Sequence, residues 1–173
     1  MGMKGTRIQV SHPGGAAKGI QLEGFIVGTP KPGTVMEMLA TAPVGNNFFS
    51  WSPYGTTAAS GGNWVTADGD RKIVAILLEN ASEGKTYNDA YVTGTLGRIY
   101  IPQAGEEFNM VIENQSGTGD VFTVGQEMMV DDGTGKLLAC DSDAEAHPFH
   151  MMEALAALTA DAHNWVMFRG HGA

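Results

Sequence analysis

The chain has 173 residues, 43% of them hydrophobic and only 17% charged, with a formal net charge of minus 9 at pH 7. That length suits one domain with a sizeable core and is short for two. Residues 1 to 35 hold Lys4, Arg7, Lys18 and Lys31 against Glu23, a balance of plus 3, which leaves minus 12 on the rest; so acidic a body is repelled by phosphate backbones and argues against nucleic-acid binding.

The charged share lies below the usual figure of about 25%, and the 24 glycines are spread through turn-like clusters with no collagen-like period. That is the composition of a β protein with many turns. Cys140 is the only cysteine, which excludes an intrachain disulfide framework. MGMKGTRIQV has no apolar signal region, and no run approaches the roughly 18 apolar residues that span a bilayer. The expectation is a protein made and assembled in the cytoplasm, with no membrane partner.

In chain order, residues 1 to 22 are rich in Gly, Pro and Lys and have too little apolar surface to fold alone. They are read as an extended arm that orders against a neighbour, with a disordered tail as the alternative, and residues 23 to 173 as a single β-rich domain. Phe25 to Val27 makes a first short strand. VMEMLA, from Val35 to Ala40, is a second, because Pro30, Pro32 and Pro43 flank it and disfavour a helix. Phe48, Phe49, Trp51, Tyr54 and Trp64 then crowd a Gly, Ser and Thr stretch that looks like a long loop. Such aromatics either fill the core or form a contact patch.

KIVAILLE, from Lys72 to Glu79, has six consecutive apolar residues between turn-like flanks and predicts a strand covered on both faces. Tyr87 to Leu96 is read as a weak edge strand. Gly97 to Asp143 carries the least ambiguous signals, those of an antiparallel meander. In EFNMVIE the side chains of Phe108, Met110 and Ile112 share one face while Glu107, Asn109 and Glu113 share the other, the alternation of a half-buried strand. NQSGTGD reverses the chain, and VFTVGQEMMV and LLAC flank the DDGTGK turn of a hairpin. Cys140 is expected as a small buried residue after that hairpin. In the tail, MMEALAAL has the composition of a helix former, but the pattern favours two strands joined by Thr159 to Asn164.

Motifs of catalysis are weak. His147 and His150 stand three apart below Asp141, Asp143 and Glu145, without the partner ligands a zinc site needs. GTGK at Gly133 to Lys136 lacks the first Gly and the following Ser or Thr of a phosphate-binding loop, and a hairpin turn explains it. His163 and His171 are read as surface residues. No catalytic, cofactor-binding or metal-ligating residue is assigned, and the protein is expected not to be an enzyme.

Three features from Gly97 to Arg169, an IPQAGEEF lead-in, the VGQEMMVDDGTGKL hairpin and a short strand pair ending in WVMFR, resemble the head-decoration, or cement, proteins of tailed bacteriophages. The resemblance implies a mainly β fold, a small antiparallel β-barrel or β-tulip-like domain with an extended N-terminal arm. It also implies a homotrimer that clamps the major capsid protein on the virion surface and needs no cofactor. In that setting Ile8 and Val10 alternate as an added strand does, with Lys4, Arg7 and Lys18 steering. Phe48, Phe49, Trp51 and Tyr54 form the candidate protein-contact or oligomer patch. Two other readings stay open: a fibre-tip module binding glycans through Phe48 to Trp64, and a metal enzyme using His147 or His150.

Overall fold

A computed structural model describes residues 19–39, 49–55, 74–114, 119–131, 133–140, 149–158 and 160–169. The described residues are mainly β. The strands are β1 (Ile20–Ile26), β2 (Val35–Met38), β3 (Ser50–Pro53), β4 (Val74–Leu78), β5 (Leu96–Ile101), β6 (Glu107–Ile112), β7 (Asp120–Phe122), β8 (Glu127–Val130), β9 (Leu137–Ala139), β10 (Phe149–Met151), β11 (Leu155–Leu158) and β12 (Ala162–Phe168), with one short 3-10 turn at Ala81–Glu83.

Where one barrel was expected, two closed five-stranded barrels form, ordered β1-β3-β2-β4-β5 and β10-β12-β6-β9-β8, with β11 and β7 pairing as a separate ribbon. The pairing is not purely antiparallel. β1 runs parallel to β3, and β6 runs parallel to β9. The meander expected after Gly97 is also not sequential, because β6 lies between β12 and β9 and β7 leaves to pair with β11. Only the β8–β9 hairpin keeps the neighbour pairing its turn residues prescribe, with Val130 opposite Leu137.

β4 explains why its sequence is apolar without alternation. Ala75 and Leu77 belong to a first core with Ile26, Met36, Trp51, Tyr91 and Ile99, while Ile76 and Leu78 join a larger core with Phe108, Met110, Phe149 and Val166. One face fills the first barrel and the other packs towards the second. β6 is buried on both faces for the same reason: Phe108, Met110 and Ile112 are fully buried, and Asn109 and Val111 on the supposed wet face are 7% and 5% exposed. The loop after β1 supports that second face, where the Val111 N–H donates to the Gly33 carbonyl (3.1 Å).

β1 starts at Ile20, earlier than the predicted Phe25, because Ile20 to Phe25 pair residue by residue with Ile101 to Leu96. The stretch read as an arm therefore enters the sheet at Ile20, while residues 1–18 lie outside the described residues. Tyr87 to Leu96 is not an edge strand. Up to Thr95 it is a run of turns, with Leu96 opening β5; buried Tyr91 enters the first core and its hydroxyl donates to the Leu78 carbonyl (2.9 Å). Removal from water raises the pKa of that hydroxyl to about 12. In the tail the two-strand reading holds, as β11 and β12, though β11 pairs with β7 instead of its neighbour.

Candidate functional site

Gly133 and Gly135 give the β8–β9 turn its shape, both at positive φ (98° and 67°). The tip of this hairpin is a joint between the barrels. The Val35 N–H donates to the Gly135 carbonyl (2.7 Å), and the Gly133 N–H donates to the Tyr54 carbonyl (2.8 Å). A side chain on Gly135 would collide with the Val35 carbonyl oxygen and crowd the Thr34 methyl, so the close approach requires glycine as much as the φ does. GTGK is thus a structural turn aimed at the neighbouring barrel.

A second joint lies at the start of the described chain. Glu106 is fully buried, and its carboxylate accepts from the Tyr100 hydroxyl (2.7 Å), the Gln103 N–H (2.8 Å) and the Gly19 N–H (3.1 Å). Burial, with the Glu106 carboxylate next to it, raises the Tyr100 hydroxyl pKa well above its usual value. The IPQAGEEF stretch therefore supplies the carboxylate that ties Gly19, and with it the root of β1, to the turn between β5 and β6.

Beside the hairpin joint lies a cleft of 470 Å³. Its first wall is the loop after β1 together with β3 and Asn88; its second is Val111, the hairpin turn, Asp161 and His163. Lys136 lies 2.7 Å from Asp161 and 3.6 Å from Glu113. Burial works against the Lys136 charge, but the two carboxylates outweigh it and raise its pKa. Burial likewise opposes ionisation of Asp161, yet Lys136 and the Asn114 N–H (3.1 Å) lower its pKa. Glu113 differs: burial, then the nearby Asp131 charge, pushes it up despite Lys136.

His163 crosses from the second wall to the first. Its Nε2 lies 2.9 Å from the Pro32 carbonyl, which can only accept, so Nε2 carries the proton. Burial lowers the pKa of this ring, which keeps it neutral and leaves Nδ1 as an acceptor. Tyr87 meets the ring edge-on, 5.3 Å between centroids at 82°. His163, read from sequence as a surface residue, is therefore part of the boundary between barrels.

The sequence-predicted sites fare unevenly. Lys4, Arg7, Ile8, Val10, Lys18 and Phe48 lie outside the described residues, as do Trp64, His147 and His171. Of the aromatic patch, Phe49 is 52% exposed, but Trp51 and Tyr54 are each 1% exposed. That is a correction: Trp51 fills the first barrel and Tyr54 the larger core, so neither offers a ring face to a partner or a glycan. His150 sits on β10 with Nε2 3.5 Å from the Glu127 carboxylate, which Arg169 also reaches at 3.2 Å. Among the described residues no group of three or more His, Cys, Asp or Glu is placed to hold a metal ion. Cys140 follows β9 directly and is half-buried.

Sequence reasoning missed the cleft. Lys31, Asn88, Lys136 and the Asp161–His163 pair come from four separate segments with no motif spacing between them. The one available signal was the pair of glycines in DDGTGK, which marks a turn without saying what the turn touches.

No family model and no curated protein matches the chain. Among solved structures the chain is similar to the N base of head fiber gp8.5 in bacteriophage phi29, with a TM-score of 0.46 and 8% identity, covering 90% of this chain and 98% of that one.

Proposed function

We propose that this chain is a structural protein of a tailed-bacteriophage virion. In this reading it binds the outside of the assembled capsid and stabilises contacts between major capsid protein subunits, without catalysis. The observation that supports it best is spatial. The three stretches that resemble cement proteins, far apart in sequence, are neighbours in the second barrel, where β6 lies between β12 and the hairpin strand β9. The same hairpin and the IPQAGEEF carboxylate also hold the first barrel.

The architecture suits a protein crowded on a lattice, because closed barrels leave few free strand edges for unwanted pairing between copies. Contacts then fall to the arm residues Lys4, Arg7, Ile8, Val10 and Lys18 and to exposed Phe49, with three copies assembling as a trimer on the capsid surface. Binding restricted to the assembled state stabilises that state by mass action, and repetition over the shell multiplies the effect.

Co-sedimentation of the full chain with assembled capsids and with free capsid subunits tests this. Binding to shells and not to subunits is expected. Binding to neither, under conditions where the chain is folded, would overturn the reading.

A further inference from the structure

The cleft between the barrels has groups to spare. Lys136 and Asp161 are committed to each other, Thr134 is bound to Asp131 (2.5 Å), and His163 Nε2 is held by Pro32. On the facing wall stand Thr29, Lys31 and Asn88, and Ser52 at the floor. Ser52 is 2% exposed and its Oγ has no hydrogen-bond partner. Ser52 follows Trp51 on β3, so the indole enters the first barrel and the hydroxyl faces the opposite way, towards the cleft. A buried hydroxyl without a partner is costly to keep and calls for an explanation; a ligand group or a water reaching it from the cleft supplies one.

The chemistry of the walls narrows the ligand. Fixed charge is close to cancelled, since Lys136 on the lining is held by Asp161 beside it and by Glu113 behind it, which leaves Lys31 as the one uncommitted charge on the described lining. The lining offers donors and acceptors of both kinds: the Lys31 ammonium, the Asn88 amide, hydroxyls and the Asp161 carboxylate, with the His163 ring among them. Between them Val27, Pro30, Pro53 and Val111 offer small apolar surfaces. A peptide added as a strand needs unpaired wall backbone, but the N–H groups of Val27, Thr34, Val111 and Gly133 are already bonded, as is that of Gly28 to Thr93. Recognition falls to side chains.

We propose that this cleft binds a neutral polyhydroxylated ligand, a saccharide of one or two rings. Its 470 Å³ lies within the roughly 300–1,000 Å³ of small-molecule sites. The proposal is independent of the capsid reading and replaces Trp51 and Tyr54 as the place where a glycan would sit.

The test is calorimetric titration of the full chain with glucose, galactose, N-acetylglucosamine and maltose, in parallel with the same sugars displayed on a surface. Binding of at least one with Kd of about 1 mM or tighter is expected. Comparable affinity for the free sugar would mark a soluble ligand, and a strong preference for the displayed form a surface glycan; both support the site. Ser52→Ala and the double variant Thr29→Val, Asn88→Ala should each weaken binding by about tenfold with the melting temperature unchanged. The proposal is overturned if no sugar in the panel binds, if the variants bind as the parent does, or if a blocked trialanine peptide binds better than every sugar.

Discussion

The two barrels have the same strand number and opposite economies of burial. The first keeps a core of its own around Trp51, Ile26 and Ile99, and its walls also carry Val35, Tyr54, Ile76, Leu78 and Tyr100 into the larger core with the second. The second has no separate core. Its inward residues, Phe108, Met110, Phe149 and Phe168 among them, are continuous with the outer face of the first. The second barrel is therefore completed by the first, and the joint between them is as much a part of its folding as its own hydrogen bonds.

The largest expected effect tests that dependence. Phe108→Ala removes a fully buried ring that stands 5.7 Å from Tyr100 in the other barrel, at a cost of about 3–5 kcal/mol. Trp51→Ala, confined to the first core, should cost a similar amount. Hydrogen exchange in Phe108→Ala should quicken in the strands of both barrels together. If β1 to β5 keep their protection while β6, β8 and β12 lose theirs, the shared core does not couple the barrels.

Next comes the hairpin joint. Gly135→Ala places a side chain against Val35 and Thr34 at positive φ and should lose about 2–4 kcal/mol. The same change at Gly133, whose Cβ would meet nothing within 4 Å, carries only the φ cost and should lose about 1 kcal/mol. Chemical denaturation of the pair separates backbone strain from the contact between barrels; equal losses would deny the contact.

Much of the second barrel was legible because its signals are local. Alternation in EFNMVIE and glycine in DDGTGK lie within a few residues of the strand and turn they specify, and in the first barrel the apolar run KIVAILLE likewise announces a strand with two dry faces. The parallel pairs β1–β3 and β6–β9 were not legible, because a parallel partner sits a long connection away and leaves no mark on the turn between. Tyr91 misled in another way: an aromatic that anchors a loop gives the same apolar beat as a strand. Trp51 and Tyr54 sit among residues that favour loops, yet pairing of β3 with β1 and β2 overrode that preference and buried them. The cleft joins the loop after β1 to the hairpin turn, Asp161 and His163, and only folding brings these segments together.

Glu106 gives the third effect. Glu106→Gln keeps the shape but replaces charge-assisted bonds to Tyr100, Gln103 and Gly19 with weaker ones, and should cost about 1.5–3 kcal/mol. Exchange should rise first at the start of β1, and uniform loosening would show that the tie is not specific to that end.

The smallest effect is on pH. Burial lowers the His163 pKa below its ordinary value, so the unfolded chain binds the proton more readily. The stability this neutral ring contributes is present above the unfolded pKa of about 6.5 and is lost as pH falls below it. Glu113, raised by burial, works in the opposite sense at lower pH. Stability curves of the parent and His163→Gln between pH 7 and 5 should therefore converge as the pH falls, and parallel curves would remove His163 from the account.

A truncation that tests the arm has to stop short of β1. Removing residues 1 to 22 would take Ile20 to Leu22 out of β1, where they pair with Ile101 to Ile99. Cutting after residue 18 spares the strand and the Gly19 tie to Glu106. The melting temperature of assembled shells, measured alone, with the full chain and with the chain lacking residues 1 to 18, tests the proposed capsid stabilisation by those residues. The full chain should raise it, and the shortened chain, though folded, should not; a shell indifferent to both would contradict the account.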